Sequence, residues 1–175
     1  MTRTFHASLV IVDGVGALIT GEAGSGKSEC ALSLITRGHS LVSDDVVLIA
    51  RTDNALNGRA PDNFAGLLEI RDIGIIDVKQ AFGRNSFAAQ SKIDLCVEFR
   101  KSDSGGSRAR IGNDRSAIEI LGIKLPYFSL TVDANRNLAV LVELSAKLGR
   151  IDAKAAERDL ISKHDLAVTG KRSAV

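Results

Sequence analysis

The chain has no tryptophan, one tyrosine, one methionine and two prolines in 175 residues. With so few aromatic side chains there is little surface on which unpaired bases could stack, which argues against a single-strand nucleic-acid binder. Charge points the same way. Twenty-three Lys and Arg stand against 21 Asp and Glu, and a net charge of +2 is too small for an electrostatic nucleic-acid footprint. No apolar run approaches the ~20 residues that would span a bilayer. The N-terminus lacks the charged start, apolar stretch and cleavage site of a secretory leader. Cys30 and Cys96 are the two cysteines, far apart and set in helix-like and strand-like apolar patterns. They read as buried free thiols, not as a disulfide or a metal site. These absences leave a cytoplasmic globular enzyme of a single domain, residues 1–175, long enough to bury a real core.

Glycine is abundant, with 16 residues, and several are concentrated where the chemistry lies. Gly21-Glu22-Ala23-Gly24-Ser25-Gly26-Lys27-Ser28 reads G-x-x-x-x-G-K-S. An apolar run, Ala17 to Thr20, precedes it, and a helical pattern with Cys30, Ala31, Leu34 and Ile35 follows, ending at Gly38. In such a loop the glycines let successive N–H groups face phosphate oxygens, and the helix adds its positive end. Lys27 then reaches the β- and γ-phosphates, and Ser28 is a Mg²⁺ ligand.

The rest of the chain reads as short strands with helices interspersed. Ala7 to Val12 is a strand, Asp13-Gly14 a hairpin turn, and Val15 to Thr20 the returning strand. His39 to Val42 is a strand ending at Ser43-Asp44-Asp45, and Val46 to Ala50 continues as another. Phe64 to Ile70 and Ile73 to Val78 are apolar runs separated by Arg71-Asp72. Lys92 to Phe99 is strand-like, Ser102 to Ser107 a loop, and Ile118 to Val132 a strand region around Pro126. Helices are expected over Leu138 to Leu148, after Asn135 or Asn137, and over Ala153 to Lys163.

Asp44-Asp45, about seventeen residues after Ser28, is the second chemical signal. Beside a bound γ-phosphate, one carboxylate can accept a hydroxyl proton while the other holds or orients Mg²⁺. Alone, the pair would be a polar turn or cap.

Gly21 through Asp45, GEAGSGKSECALSLITRGHSLVSDD, resembles the HPr kinase/phosphorylase family, and Leu67 to Val78, LLEIRDIGIIDV, is similar to that family's second signature, with Asp72 where glycine is usual. The resemblance extends from His6 into the Leu138 helix and is to the catalytic part, so a short form with the catalytic domain alone is expected. It implies an α/β fold, the P-loop kinase core of the HPr kinase and phosphoenolpyruvate carboxykinase type, with a mixed sheet flanked by helices. It also implies ATP and Mg²⁺ as cofactors, the phosphocarrier HPr as protein substrate and a hexameric homo-oligomer.

Residue by residue, the resemblance makes Lys27 the phosphate lysine, and Ser28 and Glu69 the Mg²⁺ ligands. Asp45 becomes the base toward the substrate serine, His6 the active-site histidine fifteen residues before Gly21, and Arg110 the arginine on the transferring phosphoryl group. Arg37 and His39 are expected to cap the helix and start the next strand, Glu22 and Glu29 to face solvent or a neighbouring subunit. Arg71 and Asp77 are expected to form an ion pair or join in catalysis. One segment departs from the family. Thr131 to Asn137 replaces a proline- and glycine-bearing segment linked with dephosphorylation, so a looser turn and a weak reverse reaction are expected. A small-molecule or amino-acid kinase, and a regulatory module that binds nucleotide without transfer, are the other classes these residues allow.

Overall fold

The computed structural model describes residues 2–101, 116–133 and 135–151. β1 (Thr2–His6) leads into β2 (Ser8–Val12), and Asp13-Gly14 turns the chain at φ 51° and 80°. Two successive left-handed residues are what a type I′ hairpin needs, and Asp-Gly supplies them. β3 (Val15–Gly21) returns antiparallel to β2 and is buried over its first five residues. It lies inside the sheet with helices on one face and strands on the other, so its apolar residues are continuous, not alternating.

After the glycine loop come α1 (Lys27–Thr36), β4 (Ser40–Ser43), β5 (Val46–Thr52) and β6 (Ala55–Arg59). A small hairpin of β7 (Leu67–Ile70) and β8 (Gly74–Asp77) runs into α2 (Val78–Phe82). β9 (Gln90–Ile93), β10 (Leu95–Lys101), β11 (Ser116–Ile120) and β12 (Ile123–Val132) complete the strands. A third helix, α3, covers 138–151.

Two sheets result. The larger is mixed, in the order β11-β12-β10-β3-β2-β4, with β10 parallel to both β3 and β12. The smaller is antiparallel, β1-β5-β6-β9. Helices α1 and α3 cover one face of the mixed sheet, where Leu34, Ala31 and Cys30 meet Ile19, Val97, Phe99 and Val142. The small sheet covers the other face, joining Leu9, Leu18 and Cys96 to Val47, Ile49, Leu56 and Ile93. Full burial of one such leucine or isoleucine contributes about 2 kcal/mol. The expectation of a mixed sheet flanked by helices therefore holds on one side, while a second sheet does the work of helices on the other.

The residues 92–99 form parts of two strands in different sheets. The break is at Asp94, whose carboxylate accepts from the Gly16 N–H at 2.9 Å and whose own N–H donates to the Gly16 carbonyl at 2.8 Å. Pro126 does not interrupt β12: it is paired with Ala117 of β11, and pairing with β10 starts one residue later at Tyr127. The turn lies instead at Leu121-Gly122. β1 and α2 were not legible as elements; α2 starts because the Asp77 carboxylate accepts from the N–H groups of Lys79 and Gln80. Asn137 caps α3 by accepting from the Val140 N–H at 3.2 Å. The expected 153–163 helix and 102–107 loop lie outside the described residues.

Candidate active site

The loop between β3 and α1 is shaped by its glycines. A Cβ on Gly21 would stand 2.7 Å from the Phe99 carbonyl oxygen and 2.8 Å from Ser25 Oγ, so no other residue fits there. Gly26, at φ 87°, precedes α1 without a side-chain cap, which leaves the first N–H groups of the helix to a bound anion. Gly24 has open space around it. Ser25 Oγ is buried and, among the described residues, unpaired. An orphaned hydroxyl costs about 1–3 kcal/mol, so this loop holds an unmet polar demand.

Lys27 is almost fully buried. Its Nζ donates to the carbonyls of Gly21 at 3.0 Å and Glu22 at 3.1 Å, and lies 3.4 Å from His6 Nε2. The lysine head is thus held within the loop by its backbone, beside the space where phosphates would sit. Glu22 points outward and pairs with Lys101 at 3.1 Å.

The two aspartates part company at a sharp turn. The Val46 N–H donates to the Asp44 carbonyl at 2.7 Å, closing a three-residue turn with Asp45 at its apex and φ 63°. Asp44 turns inward. Its carboxylate accepts from Ser8 Oγ at 2.5 Å and from Ser28 Oγ at 2.8 Å. Burial pushes its carboxyl above the ordinary aspartate range, while the two serine hydrogen bonds and a backbone bond pull back. Asp45 turns outward, with its side chain 69% exposed and its Oδ1 2.9 Å from His6 Nδ1. The same Nδ1 lies 3.0 Å from the Asp45 carbonyl, which also accepts from the Ala7 N–H at 3.2 Å. With Nδ1 carrying the hydrogen, Nε2 is left as an acceptor for Lys27.

His6, Lys27, Ser28, Asp44 and Asp45 line one cleft of about 340 Å³. Glu69 of β7, Arg71 in the turn after it, and Gly24 and Gly26 of the loop line the same cleft. The structure therefore brings together His6, Ala23, Gly24, Gly26, Lys27, Ser28, Asp45 and Glu69 of the expected site; Gly21, Glu22 and Ser25 belong to the loop but not to the cleft wall. Arg110 lies outside the described residues. Sequence reasoning missed Ser8 and the cleft position of Glu29; Arg71, for which an ion pair and a catalytic part were both open, lines the cleft. For Ser8 a signal existed, a hydroxyl inside an otherwise apolar strand run.

Other expectations are corrected. Arg37 and His39 do more than end a helix and begin a strand. Arg37 Nε and Nη2 donate to the two Glu143 oxygens at 2.6 and 2.8 Å, and His39 Nε2 lies 3.0 Å from Oε1, tying the end of α1 to α3. The Arg37 hydrogen bonds, with help from His39, hold the Glu143 carboxyl at about 2. Asp77 caps α2 and forms no ion pair with Arg71. After β12, Asp133 accepts from the Asn135 N–H through its carboxylate and from the Arg136 N–H through its carbonyl, each at 3.0 Å.

Among the described residues no helix is long and apolar enough to cross a membrane. No group of three or more His, Cys, Asp or Glu side chains there is placed to hold a metal alone. Mg²⁺ is commonly bound by one or two carboxylates together with substrate phosphates, and the Ser28, Asp44 and Glu69 oxygens around the loop fit that donor set.

The family model for the HPr Serine kinase C-terminal domain matches residues 1–163. The HPr kinase/phosphorylase of Clostridium botulinum (strain Eklund 17B / Type B) is 41% identical over 166 residues, covering 94% of this chain and 55% of the relative. That of Geobacillus thermodenitrificans (strain NG80-2) is 41% identical over 175 residues, covering 98% of this chain and 57% of the relative. The chain thus spans little more than half the length of the curated relatives it matches. A solved structure, the Hpr(Ser) kinase/phosphatase from Coxiella burnetii, superposes with a TM-score of 0.78 at 35% identity, over 87% of this chain and 99% of that one. Family model and fold agree, and the chain belongs to the HPr serine kinase C-terminal domain family.

Proposed function

We propose that this chain is an ATP- and Mg²⁺-dependent protein serine kinase whose substrate is the phosphocarrier HPr. The observation that carries the reading is the split of Asp44 and Asp45. One carboxylate is buried against Ser28 of the phosphate loop, and the other is exposed in the same cleft, free to meet an incoming hydroxyl.

In the forward reaction Asp45 takes the proton of the substrate serine as its oxygen bonds to the γ-phosphorus. The bond from that phosphorus to the bridging oxygen breaks, and ADP leaves. Lys27, already within the loop, moves its ammonium from the Gly21 and Glu22 carbonyls to the phosphates. His6 holds Asp45 through Nδ1 and keeps its carboxylate turned into the cleft. Ser28, Asp44 and Glu69 would hold Mg²⁺, which neutralises charge on the β- and γ-oxygens. Arg110 is assigned to the transferring phosphoryl group by family resemblance.

The reverse reaction, attack of phosphate on phosphoserine with Asp45 returning the proton, uses the same groups. We expect it to be weak, because Asp133 places a negative charge in a segment the family makes basic. A hexamer is part of the proposal; Ile73 and Ile75, exposed on the β7–β8 hairpin, offer apolar surface for such contacts.

Labelled ATP offered in parallel to purified HPr and to a panel of metabolites tests the reading. Label on HPr supports it. Label on a metabolite alone would make the chain a small-molecule kinase, and ATP binding without any transfer would make it a regulatory module.

A further inference from the structure

Three consecutive residues clamp the aspartate turn. His6 meets the Asp45 carboxylate, the Ala7 N–H bonds the Asp45 carbonyl, and Ser8 Oγ bonds the Asp44 carboxylate. The first two act on Asp45, one on its exposed carboxylate and one on its backbone carbonyl. Ser8 acts on the buried carboxylate of Asp44, and it is the least expected of the three, since it stands at the start of an apolar strand.

The geometry points to Ser8 as a positioning residue for the metal side of the cleft, an inference that rests on the nucleotide–Mg²⁺ reading of the site. Ser8 is fully buried and Asp44 nearly so. A carboxylate in such a place needs its lone pairs met, and here each oxygen has one hydroxyl: Oδ1 takes Ser8 at 2.5 Å and Oδ2 takes Ser28 at 2.8 Å. Fixing Oδ1 fixes the plane of the carboxylate, and so fixes where Oδ2 directs Ser28. Ser8 itself cannot wander. β2 is hydrogen-bonded on both sides, with Ser8 opposite Ile19 of β3 and Leu9 opposite Ser43 of β4. The strand that enters the phosphate loop and the strand that leads into Asp44 therefore both pair with β2 at or beside Ser8. Outer partners of metal-ligating groups act in this way, orienting a ligand they do not replace.

The test is metal binding, with Ser8→Ala and Ser8→Cys compared with the wild type. Cysteine keeps most of the volume but is a weak donor, so it separates the hydrogen bond from packing and serves if alanine does not fold. Calorimetry would first measure ATP binding in EDTA, then Mn²⁺ binding to the ATP-saturated protein. Both variants are expected to bind Mn²⁺ on the order of tenfold more weakly, with ATP affinity in EDTA unchanged, and Ser8→Thr is expected to restore the wild-type value. Wild-type Mn²⁺ affinity in Ser8→Cys would overturn the inference, as would an equal loss of metal-free ATP binding. A wild-type protein that binds neither ATP nor Mn²⁺ would instead overturn the nucleotide reading on which the inference rests.

Discussion

Replacing Asp45 by Asn separates chemistry from binding. Loss of a general base usually costs 10²–10⁴-fold in rate, which corresponds to about 3–5 kcal/mol of transition-state stabilisation. The fold has little at stake in the change. Asp45 sits at φ 63°, a conformation that asparagine tolerates as well as aspartate. Its contact with His6 joins side chains that are 69% and 51% exposed, and such a pair is worth about 0–1 kcal/mol. Asp44, Ser28 and Lys27 keep their partners, so the phosphate loop is unchanged. Rapid-quench transfer of the γ-phosphoryl group from saturating ATP should therefore fall by at least about a hundredfold. The thermal midpoint should move by less than about 4 °C, and ATP affinity should stay within about twofold. Transfer at the wild-type rate would refute the general-base assignment. Loss of ATP binding together with transfer would show that Asp45 serves the nucleotide and not the hydroxyl.

Glu143→Gln tests the tie between α1 and α3. The Glu143 carboxyl is lowered from 4.5 to about 2 in the folded state, so its contribution is present above about pH 4.5 and is lost as pH falls toward 2. The wild type should melt higher than the variant at pH 7, with the gap closing between pH 4.5 and 2; a gap independent of pH would exclude the ion pair as its source. Burial pushes the thiols of Cys30 and Cys96 up to about 12 and about 11, so a thiol reagent at pH 8 should label neither until denaturant is added. Immediate labelling of the native protein would contradict their burial. Asp72 occupies a left-handed position, φ 68°, where glycine fits without strain. Asp72→Ala should be less stable than Asp72→Gly by about 1 kcal/mol in urea melts, and the opposite order would refute that assignment of strain.

What could be read from sequence was whatever is local. The Asp13-Gly14 hairpin, the loop between an apolar strand and a helix, and the Gly38 turn each lie within a few neighbouring residues whose chemistry sets the backbone. The role of Arg37 and His39 was hidden because their partner, Glu143, is about a hundred residues away in sequence. The division of labour between Asp44 and Asp45 was hidden for another reason. Adjacent carboxylates look alike until the turn at Asp45 sends one toward Ser8 and Ser28 and the other toward His6. β1 escaped notice because its exposed, mixed residues carry no apolar alternation; only pairing with β5 makes it a strand. The run 92–99 misled in the opposite sense, since a strand-like pattern does not reveal that Asp94 passes the chain from one sheet to the other.

The central claim is that the cleft transfers phosphate to a serine of HPr. Incubation of the protein with purified HPr, ATP and Mg²⁺, followed by mass-spectrometric mapping of the modified residue, tests it most directly. A single phosphoserine on HPr, absent without Mg²⁺ and formed at least about a hundredfold more slowly with Asp45→Asn, is the predicted result. Unmodified HPr after prolonged incubation with an ATP-binding preparation would contradict it.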